Sequence, residues 1–200
     1  MRLYTAVMDT ITLIPKETAL VLIDLQKGIA SFPTEPLPAE NVLENANVLL
    51  KAFHERDAFV VFVRVTGSGD GKDMLSPDAD EPMVRPTKPT ADFADLMPTL
   101  DRKDGDCIVT KRQWGAFYGT ELDLQLRRRG IKTIVLGGIA TNFGVESTGR
   151  DAFERGYRLI FASDAMASRT AADHTFAISR IFPRIGRVRT TADIVEAFAS

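Results

Sequence analysis

Three residues of this 200-residue chain stand where an α/β enzyme carries its chemistry. Asp24 ends the apolar run "ALVLID", Lys111 ends "DCIVTK", and Gly144 lies in the turn that follows "KTIVLGG". Carboxyl and amino groups can exchange protons with a substrate, whereas glycine brings no nucleophile to a turn where many enzymes place one. Each residue also has an ordinary structural explanation, as a turn former, a solvated strand end or a backbone requirement. Their shared placement makes Asp24, Lys111 and Gly144 the candidate catalytic set.

Apolar runs and amphipathic segments alternate along the chain, which predicts strands that alternate with helices. The predicted strands are 19–24, 59–65, 106–111, 132–138, 158–163 and 185–190. The predicted helices are 41–57, 120–130 with Thr120 as N-cap and Gly130 as stop, 145–155, 173–182 and 191–199. This pattern predicts an α/β fold with a mostly parallel sheet between two helical layers. Ligands of such sheets bind outside the carboxyl ends of the strands.

Two connections are long enough to be binding loops or lids. Leu25–Glu40 carries one glycine and three prolines, and Thr66–Gly105 carries several glycines, prolines and aspartates. We expect at most a short helix near Phe93–Met97 in the second connection. The interspersed apolar residues favour ordered loops.

The composition excludes several classes of protein. The chain is 44% hydrophobic and 26% charged with a formal net charge of -2, so nothing favours a nucleic-acid partner. The basic run Arg127–Arg129 suits a helix C-terminus. One cysteine excludes an internal disulfide framework. Because no apolar segment is long enough for a membrane span and the first residues lack a signal-peptide pattern, we expect a cytoplasmic protein without a membrane partner.

Three segments resemble the isochorismatase-like hydrolase superfamily, which includes the cysteine amidases. They are "ALVLIDLQKG", "KRQWGAFYGTELDLQLRRRGIKTIVLGGIATNFGVESTGRDAFERGY" and "SDAM". The resemblance extends over about residues 17–190 and implies one domain over 1–200. It also implies a three-layer α/β/α fold with six mostly parallel strands in the order 3-2-1-4-5-6. Two further implications are a non-proline cis peptide around Ile139–Ala140 and a homodimer or larger homo-oligomer.

The sequence departs from the amidase branch at one decisive position. In that branch the triad is Asp, Lys and Cys; Asp24 and Lys111 match the first two, but Gly144 occupies the cysteine position. Without a thiolate, no covalent adduct on sulfur can form. Cys107 is expected to be a small apolar residue of a buried strand. The predicted variant is therefore one without the catalytic cysteine.

Metal-binding members of the family carry Asp and His ligands after the first strand, but Leu25–Glu40 contains no histidine. His54 and His174, the only histidines, are read as ordinary helix residues. We therefore expect no metal. The glycines of "GSGDGK" and "GGIATNFG" also lack the spacing of phosphate and dinucleotide loops, so no cofactor is expected.

The isochorismatase branch also has glycine at the cysteine position and hydrolyses a vinyl ether. The resemblance implies that Asp24 protonates the enol-ether carbon and that water captures the oxocarbenium ion. Lys111 would anchor a substrate carboxylate or orient Asp24, and Gly144 would leave room for substrate or water. Since free Asp titrates near ~3.9, this chemistry requires a dry pocket that raises the pKa of Asp24.

Eight further residues are candidates for substrate binding. They are Gln26, Phe32, Trp114, Phe117, Ala140, Thr141, Asn142 and Phe143. Core packing would explain the aromatic residues equally well, and helix capping would explain Thr141 and Asn142.

The leading hypothesis is a hydrolase of a small carboxylate-bearing substrate. Two alternatives remain: an amide or ureide hydrolase that uses activated water, and a catalytically silent small-molecule-binding protein.

Overall fold

The structure is a computed structural model that describes residues 11–81 and 90–198. In these ranges the strands are β1 (Thr18–Ile23), β2 (Phe59–Val65), β3 (Cys107–Lys111), β4 (Thr133–Ile139), β5 (Arg158–Ala167) and β6 (Arg187–Arg189). The helices are α1 (Lys27–Ala30), α2 (Ala39–His54), α3 (Leu122–Arg128), α4 (Glu146–Glu154), α5 (Ala171–Phe176), α6 (Phe182–Ile185) and α7 (Thr191–Glu196). A short 3-10 turn, Pro15–Glu17, precedes β1, and π-helical turns lie at Thr141–Val145 and Ala177–Ile181.

The strands form one parallel sheet in the order β3-β2-β1-β4-β5-β6, which confirms the predicted order. All carboxyl ends therefore lie at the same edge of the sheet. The order reverses direction between β1 and β4, and that switch point is where open α/β sheets bind ligands.

Alternate side chains along the strands pack into two hydrophobic cores, one on each face of the sheet. Leu20 and Leu22 of β1 pack with α2 and α7, whereas Val21 and Ile23 pack on the opposite face with α3, α4 and α6. All six residues of β1 are buried, as expected for a central parallel strand. This two-sided burial confirms the three-layer arrangement.

Two predicted elements differ at their ends. The predicted strand 106–111 is an edge strand, not a fully buried one, and Ile108 is 39% exposed. Helix α3 begins at Leu122, not at the predicted N-cap Thr120. The Thr120 hydroxyl donates 2.5 Å to the Ala116 carbonyl and accepts from the Leu122 amide at 3.1 Å, so it stabilises the preceding turn.

The late segments also differ from the pattern. Strand β5 extends four residues past the predicted end at Ser163, through the "SDAM" segment, because it resumes pairing with β4 after a register shift. The predicted helix 173–182 divides into α5, a π-helical turn and α6, with Pro183 in the first turn of α6. The predicted end of the last helix, Ala199, lies outside the described residues.

The two long connections pack against each other. Gly28 donates its amide to the Phe93 carbonyl at 3.0 Å, and an added Cβ at Gly28 would lie 2.1 Å from the Phe93 ring. Turns, not the short helix expected near Phe93–Met97, occupy residues 91–94, and Leu96 forms an isolated bridge with Gln26. The loops are thus held by mutual contact at the carboxyl edge of the sheet.

Candidate active site

Asp24 and Lys111 meet although they end different strands. Lys111 is the last residue of the edge strand β3, and Asp24 directly follows the central strand β1. One strand, β2, lies between β3 and β1 in the sheet. The Lys111 Nζ donates to Asp24 Oδ2 at 2.7 Å and to the Gln113 carbonyl at 3.1 Å. Both side chains are buried. The structure therefore joins the two predicted polar residues in one ion pair at the carboxyl edge.

The backbone at Asp24 turns sharply out of the sheet. Its φ of 51° is in the left-handed region, which Asp tolerates better than most residues. Its amide still donates to the Val63 carbonyl at 2.8 Å, so the residue is fixed at the strand end. Such backbone geometry costs on the order of 1–3 kcal/mol and is concentrated at functional sites.

The environment of Asp24 alters its acidity. Burial raises the pKa of the carboxyl from 3.8 to about 6, although the charge and hydrogen bond of Lys111 oppose this rise. One oxygen, Oδ1, is buried and has no hydrogen-bond partner among the residues that the structure describes. Oδ2 is fixed by its hydrogen bond to Lys111, whereas Oδ1 can carry a proton and transfer it to a substrate.

Gly144 lies directly against this pair. The turn begins after a cis peptide bond between Ile139 and Ala140, which confirms the position implied by the resemblance. An added Cβ at Gly144 would lie 3.3 Å from Asp24 Oδ2 and 2.8 Å from Cγ2 of Ile23. A side chain here would therefore lie directly beside the Asp24 carboxylate.

A cavity of about 650 Å³ opens onto the three candidates. Its walls are mainly apolar, and its charged residues are three cations and one acid. The lining residues are Asp24, Ile29, Phe32, Thr34, Val65, Met74, Leu75, Phe93, Lys111, Arg112, Gln113, Trp114, Ile139, Ala140, Phe143, Gly144 and Arg169. An apolar cavity with an excess of positive charge suits a small anionic molecule.

Four of the eight predicted substrate-binding residues line the cavity: Phe32, Trp114, Ala140 and Phe143. The Trp114 and Phe143 rings pack with centroids 4.9 Å apart and form one wall. Trp114 is 44% exposed, so it lies at the mouth and is not part of the core.

The other four predicted residues, Gln26, Phe117, Thr141 and Asn142, are not among the residues that line the cavity. They contact the backbone, the core or neighbouring side chains around it. Gln26 is fully buried, and its amide group bonds the backbone of Val65 and Phe93. Phe117 packs in the core beside Tyr157, with centroids 5.9 Å apart. Two residues of the turn serve in the same way, Thr141 through a bond to His174 and Asn142 by accepting from the Ser168 hydroxyl.

His174 also has a role beyond that of an ordinary helix residue. It is buried, and its Nδ1 lies 2.9 Å from the Thr141 hydroxyl, so helix α5 contacts the turn that carries Gly144. Burial lowers the pKa of His174, which favours the neutral ring. His54 is distant from the site and bonds Asp106 at 2.9 Å near the start of β3.

Two cationic residues that line the cavity, Arg112 and Arg169, were not among the candidates predicted from the sequence. Arg112 is held at the cavity by Asp73, 2.6 Å away, in the 66–76 part of the long loop. Arg169 follows the true end of β5. An extension of the predicted strand through "SDAM" would have placed Arg169 at the carboxyl edge with the other candidates.

Comparison with known proteins identifies the family and the fold of this chain. The family model described as "Isochorismatase domain" matches residues 18–193. The chain is 49% identical over 190 residues to the isochorismatase family protein YwoC of Bacillus subtilis, covering 94% of this chain and 98% of that protein. A solved isochorismatase family protein from Burkholderia thailandensis superposes with a TM-score of 0.89 at 43% identity, over 96% of this chain and all of the other. Ureidoacrylate amidohydrolase RutB of Rhizobium rhizogenes is 31% identical over 182 residues, covering 78% and 73% of the two chains.

Proposed function

Because this chain belongs to the isochorismatase family, we propose that it hydrolyses a small carboxylate-bearing substrate with Asp24 as the general acid and base. Lys111 is its charged partner, and no cysteine nucleophile takes part. The observation that carries the proposal is the buried Asp24–Lys111 ion pair beside Gly144, in a cavity with an excess of cations.

The raised pKa of Asp24 is what a general acid needs. At a pKa of about 6, about a tenth of the Asp24 carboxyl groups are protonated at pH 7 and about half at pH 6. Lys111 fixes one oxygen, so the proton is delivered from a defined position. The apolar cavity walls limit the water that would otherwise restore an ordinary pKa.

Vinyl ether hydrolysis fits these groups with a balanced set of steps. Asp24 gives its proton to the enol-ether carbon, and the C=C electron pair forms the new C–H bond. Water adds to the resulting oxocarbenium carbon and returns a proton to Asp24. The hydrated adduct then collapses to a carbonyl compound and an alcohol, so one water is consumed and the enzyme is unchanged.

Cysteine chemistry has no residue to perform it among the described side chains of this site. Gly144 occupies the relevant position, and Cys107 stands at the opposite end of β3 from Lys111. Burial raises the pKa of the Cys107 thiol, which lowers its reactivity further.

An amide or ureide hydrolase is the second candidate, favoured by the identity to a ureidoacrylate amidohydrolase. In that reaction Asp24 would act as a base on water and would have to be ionised. A silent binding protein is the third. The buried ion pair of Asp24 and Lys111 favours an enzyme over a silent binding protein. Burial of two charges costs desolvation energy, and a catalytic role would explain why the fold accepts that cost.

The test is hydrolysis of isochorismate compared with ureidoacrylate, in the natural chain and in Asp24→Asn. Asp57→Asn is the matched control, since Asp57 has a similar φ of 49° and lies outside the cavity. The proposal expects turnover of the vinyl ether that Asp24→Asn abolishes and Asp57→Asn retains. Turnover of the ureide alone would favour the second candidate, and binding without turnover of either would favour the third.

The proposal retains a homodimer or larger homo-oligomer as the working form and requires neither nucleic acid nor a membrane. Light scattering of the purified chain measures the oligomeric state. Among the described residues, no helix is both long and apolar enough to cross a membrane.

A further inference from the structure

Arg169 is an exposed cation that lines the cavity and packs on the ring of Phe32. The side chain is exposed, and its guanidinium carbon lies 4.1 Å from the centroid of the Phe32 ring. Within residues 11–81 and 90–198, no carboxylate lies within 4.0 Å of its guanidinium nitrogens. Arg169 therefore differs from the other cations of the cavity.

The other two cations are already neutralised by carboxylates. Lys111 is bonded to Asp24 at 2.7 Å and is buried, and Arg112 is bonded to Asp73 at 2.6 Å. A substrate carboxylate that approached either one would compete with an existing ion pair. At Arg169 the same carboxylate would displace no ion pair formed by the residues that the structure describes.

The segment that carries Arg169 is held against the loop that carries Phe32 by backbone hydrogen bonds. Ser168 and Glu35 exchange both backbone hydrogen bonds, at 2.8 and 2.9 Å, and this joins the end of β5 to the loop that carries Phe32. The Glu35 carboxylate accepts from the Ala171 amide, two residues after Arg169, at 2.8 Å. The arginine and the ring beneath it thus belong to one connected unit.

A guanidinium stacked on an aromatic ring keeps its N–H edge available for a carboxylate. The ring contact restricts the long side chain, and the planar donor fork matches the two oxygens of a carboxylate. Apolar and aromatic walls continue from Phe32 to Trp114 and Phe143. These walls can contact the rest of a flat, apolar molecule.

We infer that Arg169 is the specificity-determining residue that recognises the substrate carboxylate, and that the substrate is a small anion with a flat, apolar body. The inference rests on the proposed function for the identity of the reacting site. It assigns the anchoring role to Arg169 and leaves Lys111 to its pair with Asp24.

The test uses benzoate and its neutral counterpart benzamide as probes, with binding followed by the fluorescence of Trp114. Trp114 is the single tryptophan of the chain and lines the cavity, so its emission reports on binding at this place. The variant is Arg169→Gln, and the matched control is Arg112→Gln at the other arginine that lines the cavity. All titrations are performed in natural and Asp24→Asn proteins, so that binding is measured without turnover.

We expect the natural chain to bind benzoate more tightly than benzamide. Arg169→Gln should weaken benzoate binding by about tenfold or more and leave benzamide unchanged, because a charge-assisted hydrogen bond is lost. Arg112→Gln should have a much smaller effect. This result in the Asp24→Asn background supports the inference even if the hydrolysis experiment fails.

Three outcomes would overturn the inference. They are equal binding of the two probes by the natural chain, an equal loss for both probes in Arg169→Gln, and a larger benzoate loss in Arg112→Gln. The first shows no anion recognition, the second shows a role in packing alone, and the third assigns recognition to Arg112.

Discussion

Lys111 bonds only one of the two carboxylate oxygens of Asp24. The bond spans 87 residues of sequence and measures 2.7 Å, while the other oxygen is buried without a described partner. The ammonium therefore orients the carboxyl group without occupying its free side. Burial has the larger effect on its acidity, since the pKa of Asp24 is raised and not lowered.

The pH dependence should identify the protonation state that reacts. A general acid with a pKa of about 6 gives a kcat/KM for isochorismate that is constant at low pH and falls about tenfold per unit above 6. The measurement is a pH–rate profile of the natural chain. A kcat/KM that instead rises through pH 6 to a plateau would show that Asp24 reacts as a base, as the ureide reading requires.

Replacement of the buried ammonium should raise the pKa of Asp24. The charge and hydrogen bond of Lys111 both lower it, so Lys111→Met leaves desolvation unopposed and moves the titration above 6. The carboxyl ¹³C shift of Asp24, assigned with Asp24→Asn, measures this change. Lys132→Met, which removes an exposed ion pair with Glu17, should leave that titration where it is; an unchanged or lower pKa in Lys111→Met would contradict the prediction.

A methyl group at position 144 should disturb the site. In Gly144→Ala the new carbon would lie 2.8 Å from Cγ2 of the fully buried Ile23 and 3.3 Å from Asp24 Oδ2. We expect kcat/KM to fall at least tenfold and the free energy of unfolding to fall by about 1–3 kcal/mol. Gly115→Ala is the control, because its new carbon meets Ser147 only at 3.8 Å. Equal effects of the two substitutions on activity would show that Gly144 has no special place.

A thiol at the same position should be reactive. The double variant Gly144→Cys/Cys107→Ser places one thiol beside the Lys111–Asp24 pair, where a nearby ammonium favours the thiolate. We expect iodoacetamide to modify it at least about ten times faster than it modifies Cys107 in the natural chain, whose thiol pKa is raised by burial. The rate is measured by mass spectrometry. Labelling that required urea would argue against an accessible nucleophile position.

Gln26 should matter for stability more than for contact with substrate. Gln26→Leu leaves the Val65 amide and the Val65 and Phe93 carbonyls without the bonds they make to this buried side chain. We expect the free energy of unfolding to fall by about 3 kcal/mol in urea titrations. Gln125→Leu removes only an exposed bond to Arg129 and should cost about 0.5 kcal/mol or less. A Gln26→Leu protein as stable as the natural chain would contradict this role.

Much of the architecture was predictable from local patterns. The strand 59–65 was predicted with the bounds that the structure has, and the predicted helical stripe of Val42, Ala46 and Leu49 is buried against the sheet. Such patterns work because the burial of alternating or helically spaced side chains depends on near neighbours in sequence. The same reasoning failed at β5, where continued pairing with β4 extends the strand past Ser163.

The residue types alone determined that the chain has an acid and an amine at strand ends and no thiol at the turn. Only the tertiary structure decided that the Lys111 side chain reaches Asp24, that Gln26 holds two loops together, and that Arg169 joins the cavity. These contacts depend on strand order and on loops that pack against each other across long stretches of sequence. No local periodicity encodes the direction of a side chain at the end of a strand, because that direction is set by partners from elsewhere in the chain.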